Sequence, residues 1–250
     1  MSPPLFWVED VPRAGTDVVV SGSEGRHAVT VTRLAVGAEL IAGDGRGSTA
    51  RCEIVAITGK DSLVARAHSY AYVDPPRPRV TVVQALPKSE RSELAVDLAT
   101  EAGADEIVPW QAARCVARWT GKADKGRDKW RAAAVAAAKQ SRRPWIPSIA
   151  PLASTTDVRS RCADAIAGGG VAAILHEDGG VGLRDLPIAE ASEIVLVVGP
   201  EGGVDDTEIA DLTALGATPV ILGPEILRTS SAAAVALGAI GVLTDRWVTR

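Results

Sequence analysis

The sequence predicts two domains, a small β-rich domain over residues 1–74 and an α/β domain with a mostly parallel sheet over residues 75–250. Short β-prone runs separated by turn residues dominate the first part. Strands alternate with helices in the second part, which is the pattern of an α/β fold. Between them lies Asp74-Pro75-Pro76-Arg77-Pro78, whose prolines cannot continue a helix or a strand and therefore predict a stiff, extended linker.

The composition is that of a folded protein with a substantial core. The chain has 250 residues, 46% of them hydrophobic, and its charges are nearly balanced, which argues against disorder. Its longest apolar run, residues 232–243, is shorter than the roughly 20 residues that cross a bilayer, so we expect no membrane span. The N-terminus has no basic flank and no long apolar stretch, so we expect no signal peptide. Cys52, Cys115 and Cys162 are widely spaced, which predicts neither a metal site nor a disulfide framework and favours the cytoplasm.

Charge is distributed unevenly along the chain. The formal net charge is −4, but residues 75–150 carry +6 and residues 151–250 carry −8. Residues 110–145 contain 10 basic and 2 acidic side chains and four of the six tryptophans. The small total therefore does not exclude a polyanionic partner.

In the first part, Asp44-Gly45-Arg46-Gly47 predicts a hairpin between two β-prone runs. Residues 25–34 fit either a short helix or a strand, because their apolar spacing favours neither. The expected strands are residues 17–20, 38–41, 50–57 and 62–67.

In the second part, the apolar runs at residues 171–175 and 194–198 do not alternate, which predicts strands buried on both faces. In the helix expected over residues 89–102, Leu94, Leu98 and Ala102 form the expected buried stripe. The other predicted strands are 80–86, 106–108 and 218–222, and the other predicted helices are 127–141, 205–215 and 231–243.

Two glycine-containing turns follow two of these strands, at residues 199–203 and 222–228. Asp205 is placed to cap the helix after the first turn, and Thr229 or Ser230 the helix after the second. Loops at the carboxyl ends of parallel strands commonly bind ligands in α/β proteins, and glycines let a ligand approach the main chain. Neither turn is a P-loop or a Rossmann fingerprint, which disfavours ATP hydrolysis and dinucleotide binding. The alternative interpretation is that both are ordinary turns, with glycine present for its conformational freedom.

Three segments of the second domain occur in a characteristic order, Leu175-His176-Glu177, VVGPEGG at 197–203 and LGPEILRTSSA at 222–232. They resemble the cofactor site of the SPOUT methyltransferases and, more narrowly, the ribosomal RNA small subunit methyltransferase E family, which makes 3-methyluridine in 16S rRNA. The resemblance covers nearly the whole chain. Further matches are QALPK at 84–88, TEAGA at 100–104, AKQSRR at 138–143, His27, Arg33-Leu34, Gly37, Arg91 and Arg114.

The resemblance implies a PUA-like N-terminal β-barrel domain and a C-terminal SPOUT-type α/β domain threaded into a trefoil knot. It implies S-adenosyl-L-methionine as the cofactor, bound in the knot, and a homodimer with each site near the dimer interface. The implied substrate is a uridine of 16S rRNA, free or in the small ribosomal subunit. The implied cofactor-binding residues are Leu175, His176, Gly199, Pro200, Glu201, Gly202, Gly203, Leu222, Gly223, Ile226, Leu227, Arg228 and Ser230.

The last motif departs from the usual wording of the family. Glu225 stands where arginine is usual, and Ser230-Ser231 stand where Glu-Thr is usual. Arg228 is kept, and we predict that it is the catalytic cation that stabilises negative charge on the uracil oxygens. N3 is buried in base pairs, so the enzyme needs an unpaired or flipped uridine. Glu201 lies in a suitable loop for a general base, but the sequence does not assign that role to a residue. It also does not determine which uridine is methylated.

The basic residues between 110 and 145 would contact RNA phosphates and make the affinity for RNA dependent on salt concentration. Trp119 or Trp145 would stack on an unpaired base, whereas we expect Trp110 and Trp130 in the core. The predicted RNA-binding residues are Lys88, Arg91, Arg114, Arg118, Gln140, Arg142 and Arg143.

Two other functions remain open at this point. Because Glu225 and Ser230 depart from the motif, the chain could be a non-catalytic RNA-binding protein of the same fold. It could also be an α/β enzyme that uses another adenine-containing cofactor.

Overall fold

A computed structural model describes residues 2–88 and 91–248 and divides the chain into two compact units. The first unit comprises the chain up to Pro75 together with Ala138–Ile146. The second comprises Pro76–Ala137 and the chain from Pro147 onward. The units therefore separate within the proline-rich linker, and residues 138–146, which the sequence analysis assigned to the second domain, cluster with the first unit.

The first unit is built on a five-stranded sheet in the order β1-β3-β4-β5-β2. Only β1 and β3 pair in parallel; the remaining neighbours are antiparallel. The predicted hairpin joins β3 to β4, and the Asp44 carboxylate accepts the N–H groups of Arg46 and Ser48 at 2.7 and 3.1 Å. The strands are β1 (Leu5–Trp7), β2 (Asp17–Ser21), β3 (Glu39–Gly43), β4 (Ser48–Ile57) and β5 (Ser62–Tyr72).

The segment that the sequence left undecided, residues 25–34, is largely helical. A short helix, α1 (Gly22–Arg26), continues into one π-helical turn over His27–Val31. Gly25 is buried, and a Cβ there would lie 2.1 Å from the carbonyl oxygen of Asp61, so only glycine fits this contact. Close packing of α1 therefore selects the helix where the apolar spacing did not.

Residues 144–146 pack on the hairpin of the first unit. The Trp145 indole donates a hydrogen bond to the Val73 carbonyl at 2.8 Å, and the Gly47 N–H donates to the Pro144 carbonyl at 2.9 Å. Gly47 has a φ of +99°, and a Cβ there would lie 2.7 Å from the Trp145 ring. The glycine that served the turn prediction is therefore also required for this packing.

The second unit contains a seven-stranded sheet in the order β10-β12-β9-β11-β6-β7-β8. Its neighbouring strands pair in parallel throughout the described residues, as the alternation of strands with helices predicted. Trp110 and Trp130 are buried in its core, as expected. The strands are β6 (Arg79–Ala85), β7 (Glu106–Trp110), β8 (Ser148–Ile149), β9 (Val171–Leu175), β10 (Val181–Gly182), β11 (Glu193–Val198) and β12 (Thr218–Ile221).

Helices flank the strands along the second part of the chain. Short 3₁₀ turns lie at Leu183–Asp185 and Asp245–Trp247. The α-helices are α2 (Ser92–Ala102), α3 (Ala123–Gln140), α4 (Thr155–Ala167), α5 (Asp206–Thr213) and α6 (Thr229–Leu243).

The buried stripe predicted for α2 is wrong at Leu94, which is 45% exposed, whereas Ala102 packs partly buried against the core. The spacing of the leucines did not identify the buried face, which is formed by Ser92, Ala95, Val96, Ala99 and Thr100. The predicted start of this helix, Ser89, lies outside the described residues.

Two other details differ from the prediction. Helix α4 was not predicted, although Ser154 and Asp157 form a capping box at its start, a recognisable sequence signal. Helix α6 has Arg228, and not Thr229 or Ser230, at its N-cap position. The Thr229 hydroxyl instead donates to the Gly199 carbonyl, so tertiary packing has taken the side chain that the local pattern assigned to capping.

Within residues 2–88 and 91–248, no helix is long and apolar enough to cross a membrane. The trefoil knot stays a prediction, since strand order and pairing describe neighbours and not threading.

Candidate active site

Three neighbouring strands of the second unit end at the same level. Leu175 at the end of β9 pairs in register with Val198 at the end of β11 and with Val220 near the end of β12. Because the strands are parallel, the three loops that follow them meet at one edge of the sheet. These loops are the three segments of the cofactor-site resemblance.

A cavity of about 360 Å³ lies among the loops. Its wall combines apolar side chains from strand ends with the main chain of both glycine turns. It is lined by Arg91, Leu175, His176, Glu177, Val198, Gly199, Pro200, Glu201, Gly203, Val204, Val220, Ile221, Leu222, Gly223, Pro224, Glu225, Ile226, Leu227, Arg228, Thr229 and Ala232.

The first glycine turn is closely packed. A Cβ on Gly199 would lie 2.7 Å from a methyl group of Val204, which excludes any other residue without a shift. Gly203 has a φ of +75° and donates its N–H to the Pro200 carbonyl at 2.9 Å, which closes the turn. The sequence predicted this turn because strand, turn and capped helix follow one another without a gap.

Asp205 caps α5 directly after this turn, as predicted. Its carboxylate accepts the N–H of Thr207 at 3.0 Å. That main-chain hydrogen bond, with the neighbouring Arg114 guanidinium, holds the pKa of the Asp205 carboxyl below its usual value. The start of α5 therefore anchors one end of the turn.

Glu201 braces the turn against the loop after β6. One of its carboxylate oxygens accepts the Lys88 N–H at 3.0 Å. This contact joins Lys88, a predicted RNA-binding residue, to a predicted cofactor-binding residue. Both residues are exposed.

Carboxylates predominate among the charged groups of the cavity. Glu177, Glu201 and Glu225 line it, and the cations are Arg91 and Arg228. Arg228 is exposed, and within residues 2–88 and 91–248 its guanidinium makes no ion pair. A cationic ligand group would find partners in the carboxylates, while Arg228 remains available for negative charge.

His176 is held by the main chain. Its Nδ1 accepts the N–H of Asp178 at 3.1 Å, and its main-chain N–H donates to the Val220 carbonyl at 3.0 Å. The neutral ring therefore carries its proton on Nε2.

Most of the predicted cofactor-binding residues line the cavity, but Gly202 and Ser230 do not. A Cβ on Gly202 would face Arg114, and Ser230 is buried at the start of α6. Several lining residues were not among those predicted. Val198 and Ala232 lie within the quoted motifs, whereas the only sequence signal of Val204, Val220 and Ile221 is that they adjoin the motifs.

The predicted RNA-binding residues have different surroundings. Arg91 lines the cavity itself. Arg114 is tied to the first glycine turn, because it pairs with Asp205 at 3.2 Å and donates to the Val204 carbonyl at 3.3 Å. Arg118 is exposed in the second unit.

The remaining ones, Gln140, Arg142 and Arg143, belong to the first unit. Arg142 has a φ of +56° and donates to the Ser2 carbonyl at 3.0 Å. Near it in the chain, Lys139 pairs with Glu24 at 2.7 Å and approaches His27 Nδ1 at 3.2 Å. The AKQSRR motif is thus built into the first unit.

The two tryptophans predicted to stack on a base have partners within the protein. Trp119 packs edge-to-face on buried Trp130, with ring centroids 5.2 Å apart. Trp145 packs in the same manner on Tyr72 at 6.2 Å. Both serve packing in this structure.

Over residues 2–88 and 91–248, no group of three His, Cys, Asp or Glu side chains is arranged to hold a metal ion.

Comparisons with known proteins agree with this architecture. The family model described as RNA methyltransferase domain matches residues 74–241, and the one described as RNA methyltransferase PUA domain matches residues 20–67. The fold and the site therefore define an RNA methyltransferase with a PUA-like N-terminal domain.

The similar proteins narrow the class. Ribosomal RNA small subunit methyltransferase E of Mycobacterium bovis is 52% identical over 244 residues, covering 97% of this chain and 93% of the relative. The Bacillus subtilis protein of the same name is 30% identical over 231 residues, covering 90% of each chain. This chain belongs to the ribosomal RNA small subunit methyltransferase E family.

A solved structure shares the fold. The Neisseria gonorrhoeae ribosomal RNA small subunit methyltransferase E, crystallised with S-adenosyl methionine, superposes with a TM-score of 0.85 at 23% identity. The match covers 97% of this chain and 98% of that one.

Proposed function

We propose that this protein transfers a methyl group from S-adenosyl-L-methionine to N3 of a uridine in 16S rRNA of the small ribosomal subunit. The observation that carries the proposal is the cavity in which the three family motifs converge, with the Arg228 side chain at its wall. Family membership supports the reaction class, and the geometry supports the assignment of individual residues.

The cavity suits the cofactor. Its volume of about 360 Å³ lies within the range of small-molecule sites, and its glycine turns offer main-chain donors and acceptors to an adenine ring. Bound there, S-adenosyl-L-methionine supplies an electrophilic methyl group on a positively charged sulfur. Glu177, Glu201 and Glu225 provide the negative charge that favours a sulfonium cation.

Arg228 would act on the base. As N3 is methylated its proton passes to solvent, which leaves negative charge on the neighbouring oxygens during the transfer, and a guanidinium held beside them stabilises that charge. Arg228 suits this role because it lines the cavity, is exposed, and is the N-cap residue of α6, whose positive dipole end acts in the same direction. The altered Glu225 would leave the main-chain contacts of this turn to the cofactor intact, since Gly223, which has no side chain, also lines the cavity.

A methyl-transfer assay tests the assignment. Purified protein, small-subunit RNA and labelled cofactor should yield 3-methyluridine, detected by nucleoside analysis. We expect Arg228→Ala to lower turnover by about 10²–10³-fold, as removal of one charge-stabilising donor does elsewhere. Arg159→Ala is the matched control, since Arg159 pairs with Asp211 at 3.3 Å outside the cavity.

Two results would contradict the proposal. If Arg228→Ala retains turnover within a few-fold of wild type, the catalytic assignment is wrong. If calorimetry detects no binding of S-adenosyl-L-methionine to the wild-type protein, the non-catalytic RNA-binding function is favoured instead.

We propose that each unit contacts RNA, the first through Arg142 and Arg143 and the second through Lys88, Arg91 and Arg118. Neutralising Arg142 and Arg143 together should weaken RNA binding. It should also reduce the slope of log binding constant against log salt concentration by about one unit for each phosphate that the variant no longer neutralises. Arg114 contributes through the glycine turn, because its guanidinium is already paired with Asp205. An unchanged slope would move the RNA surface elsewhere.

We also propose a homodimer. Helix α6 exposes Val235, Val242 and Leu243, at 46%, 76% and 41%, which is unusual for an apolar helix of a monomer. Light scattering should give twice the mass of one chain, and Val242→Glu should shift it toward the monomer.

Action on ribosomal RNA would place the protein in the cytoplasm.

A further inference from the structure

Gln84 is a buried amide at the carboxyl end of β6. Its side chain is 1% exposed, and its main chain pairs in register with Val198, the last residue of β11. Its amide nitrogen donates to the Ala85 carbonyl and to the Thr229 hydroxyl, both at 3.1 Å. It does not line the cavity.

The direction of these hydrogen bonds is determined by Thr229. Its hydroxyl has a single proton, which it donates to the Gly199 carbonyl. It must therefore accept from Gln84, and only the nitrogen end of the amide can donate to it. The other end, Oε1, is buried without a hydrogen-bond partner among residues 2–88 and 91–248.

This arrangement joins the parts of the site that must keep a common geometry. Gly199 begins the first glycine turn, and Thr229 follows Arg228 at the start of α6. Arg228 itself makes no side-chain capping bond, and the hydroxyl of Thr229 links this helix end to the first turn.

We propose that Gln84 is a positioning residue, which acts through Thr229 to hold the first glycine turn against the start of α6. It thereby keeps the cavity open in its binding geometry and sets the position of Arg228. The inference rests on the proposed placement of S-adenosyl-L-methionine in this cavity.

Variants of Thr229 provide the sharpest test. Thr229→Val keeps the shape of the side chain but can neither accept from Gln84 nor donate to Gly199, whereas Thr229→Ser keeps both bonds. We expect Thr229→Val to raise the calorimetric Kd for S-adenosyl-L-methionine about tenfold, the effect of about 1.4 kcal/mol of lost binding free energy. Thr229→Ser should stay within about twofold of wild type.

Gln84→Met tests the amide directly, because it retains the length of the side chain and removes the donor. It should raise the same Kd to a similar extent. In a double-mutant cycle, Gln84→Met with Thr229→Val should cost little more than either change alone, since both remove the same link.

Thr81→Val is the matched control for a purely structural effect. Thr81 lies on the same strand, is fully buried, and donates to the Glu193 carboxylate at 2.8 Å, away from the cavity. It should lower thermal stability without changing the Kd for the cofactor.

The inference is overturned if Thr229→Val and Thr229→Ser bind the cofactor equally well, or if the cycle is additive. If Gln84→Met does not fold, the comparison of the two Thr229 variants decides. Failure of the wild-type protein to bind the cofactor would instead overturn the proposed function.

Discussion

Arg246 ties the C-terminal end of the second unit to the start of its sheet. Its side chain is 4% exposed, and its guanidinium lies 2.8 Å from the carboxylate of Asp105, whose side chain is 14% exposed. It also donates to the carbonyls of Pro78 and Gly103. Replacing it with alanine removes this positive charge from beside a nearly buried carboxylate.

The expected cost follows from this environment. Removing one partner of a buried ion pair lowers the free energy of unfolding by about 3–5 kcal/mol, because the remaining charge stays buried without its partner. Asp105 retains the Val80 N–H at 2.9 Å, so we expect the lower end, about 3 kcal/mol. For a unit of this size the loss corresponds to a fall in Tm of about 6–12 °C.

Thermal and urea unfolding followed by circular dichroism would measure the effect. Arg184→Ala is the control, because Arg184 is 83% exposed and lies 3.7 Å from Asp185, a pair worth less than about 0.5 kcal/mol. Adding Asp105→Asn to Arg246→Ala should restore part of the stability, since it removes the carboxylate charge as well. A loss below about 1 kcal/mol, or a further loss on adding Asp105→Asn, would refute the reasoning.

Three further predictions concern the same framework. Asp205→Ala should destabilise α5 at neutral pH. Because folding lowers the pKa of Asp205, its ionised carboxylate stabilises the fold above the unfolded-state pKa, and this stabilisation is lost as pH falls through the folded-state pKa. The free energies of unfolding of wild type and variant, measured by chemical unfolding, should therefore converge in acid. Burial raises the pKa of the Cys52 and Cys162 thiols to about 11 and raises that of Cys115, so a thiol reagent at pH 8 should label none of them until urea unfolds the chain; rapid labelling of the native protein would contradict their burial. Gly47→Ala should lower the Tm of the first unit, because its Cβ would meet Trp145. Gly15→Ala, also at positive φ but in open space, should lower the Tm less. Equal falls in Tm would mean that backbone strain alone is responsible.

Much of the second unit could be predicted from local pattern. The apolar runs of β9 and β11 are buried on both faces of the sheet, and such strands have no polar alternation to obscure them. The turn at residues 199–203 was also predictable, because a strand, a glycine turn and a capping aspartate follow one another. The motif order then indicated the family, which the comparisons confirmed.

Elements that depend on small residues or on short length were not predicted correctly. The buried residues of α2 are mostly small (Ser92, Ala95, Val96, Ala99 and Thr100), so the spacing of its leucines did not identify that face. Strand β1 is three residues long and too short to show a period. The packing of residues 138–146 in the first unit depends on contacts such as Trp145 on Gly47, which join distant parts of the chain.

The residues and their order were sufficient to indicate the family, because its motifs are written in contiguous segments of the chain. The role of Thr229 could come only from the tertiary structure. Local pattern assigned it to a helix cap, but its hydroxyl links Gln84 to Gly199, residues that lie 145 and 30 positions away in the chain. A hydroxyl has one proton, and which acceptor receives it is decided by what folding brings within reach.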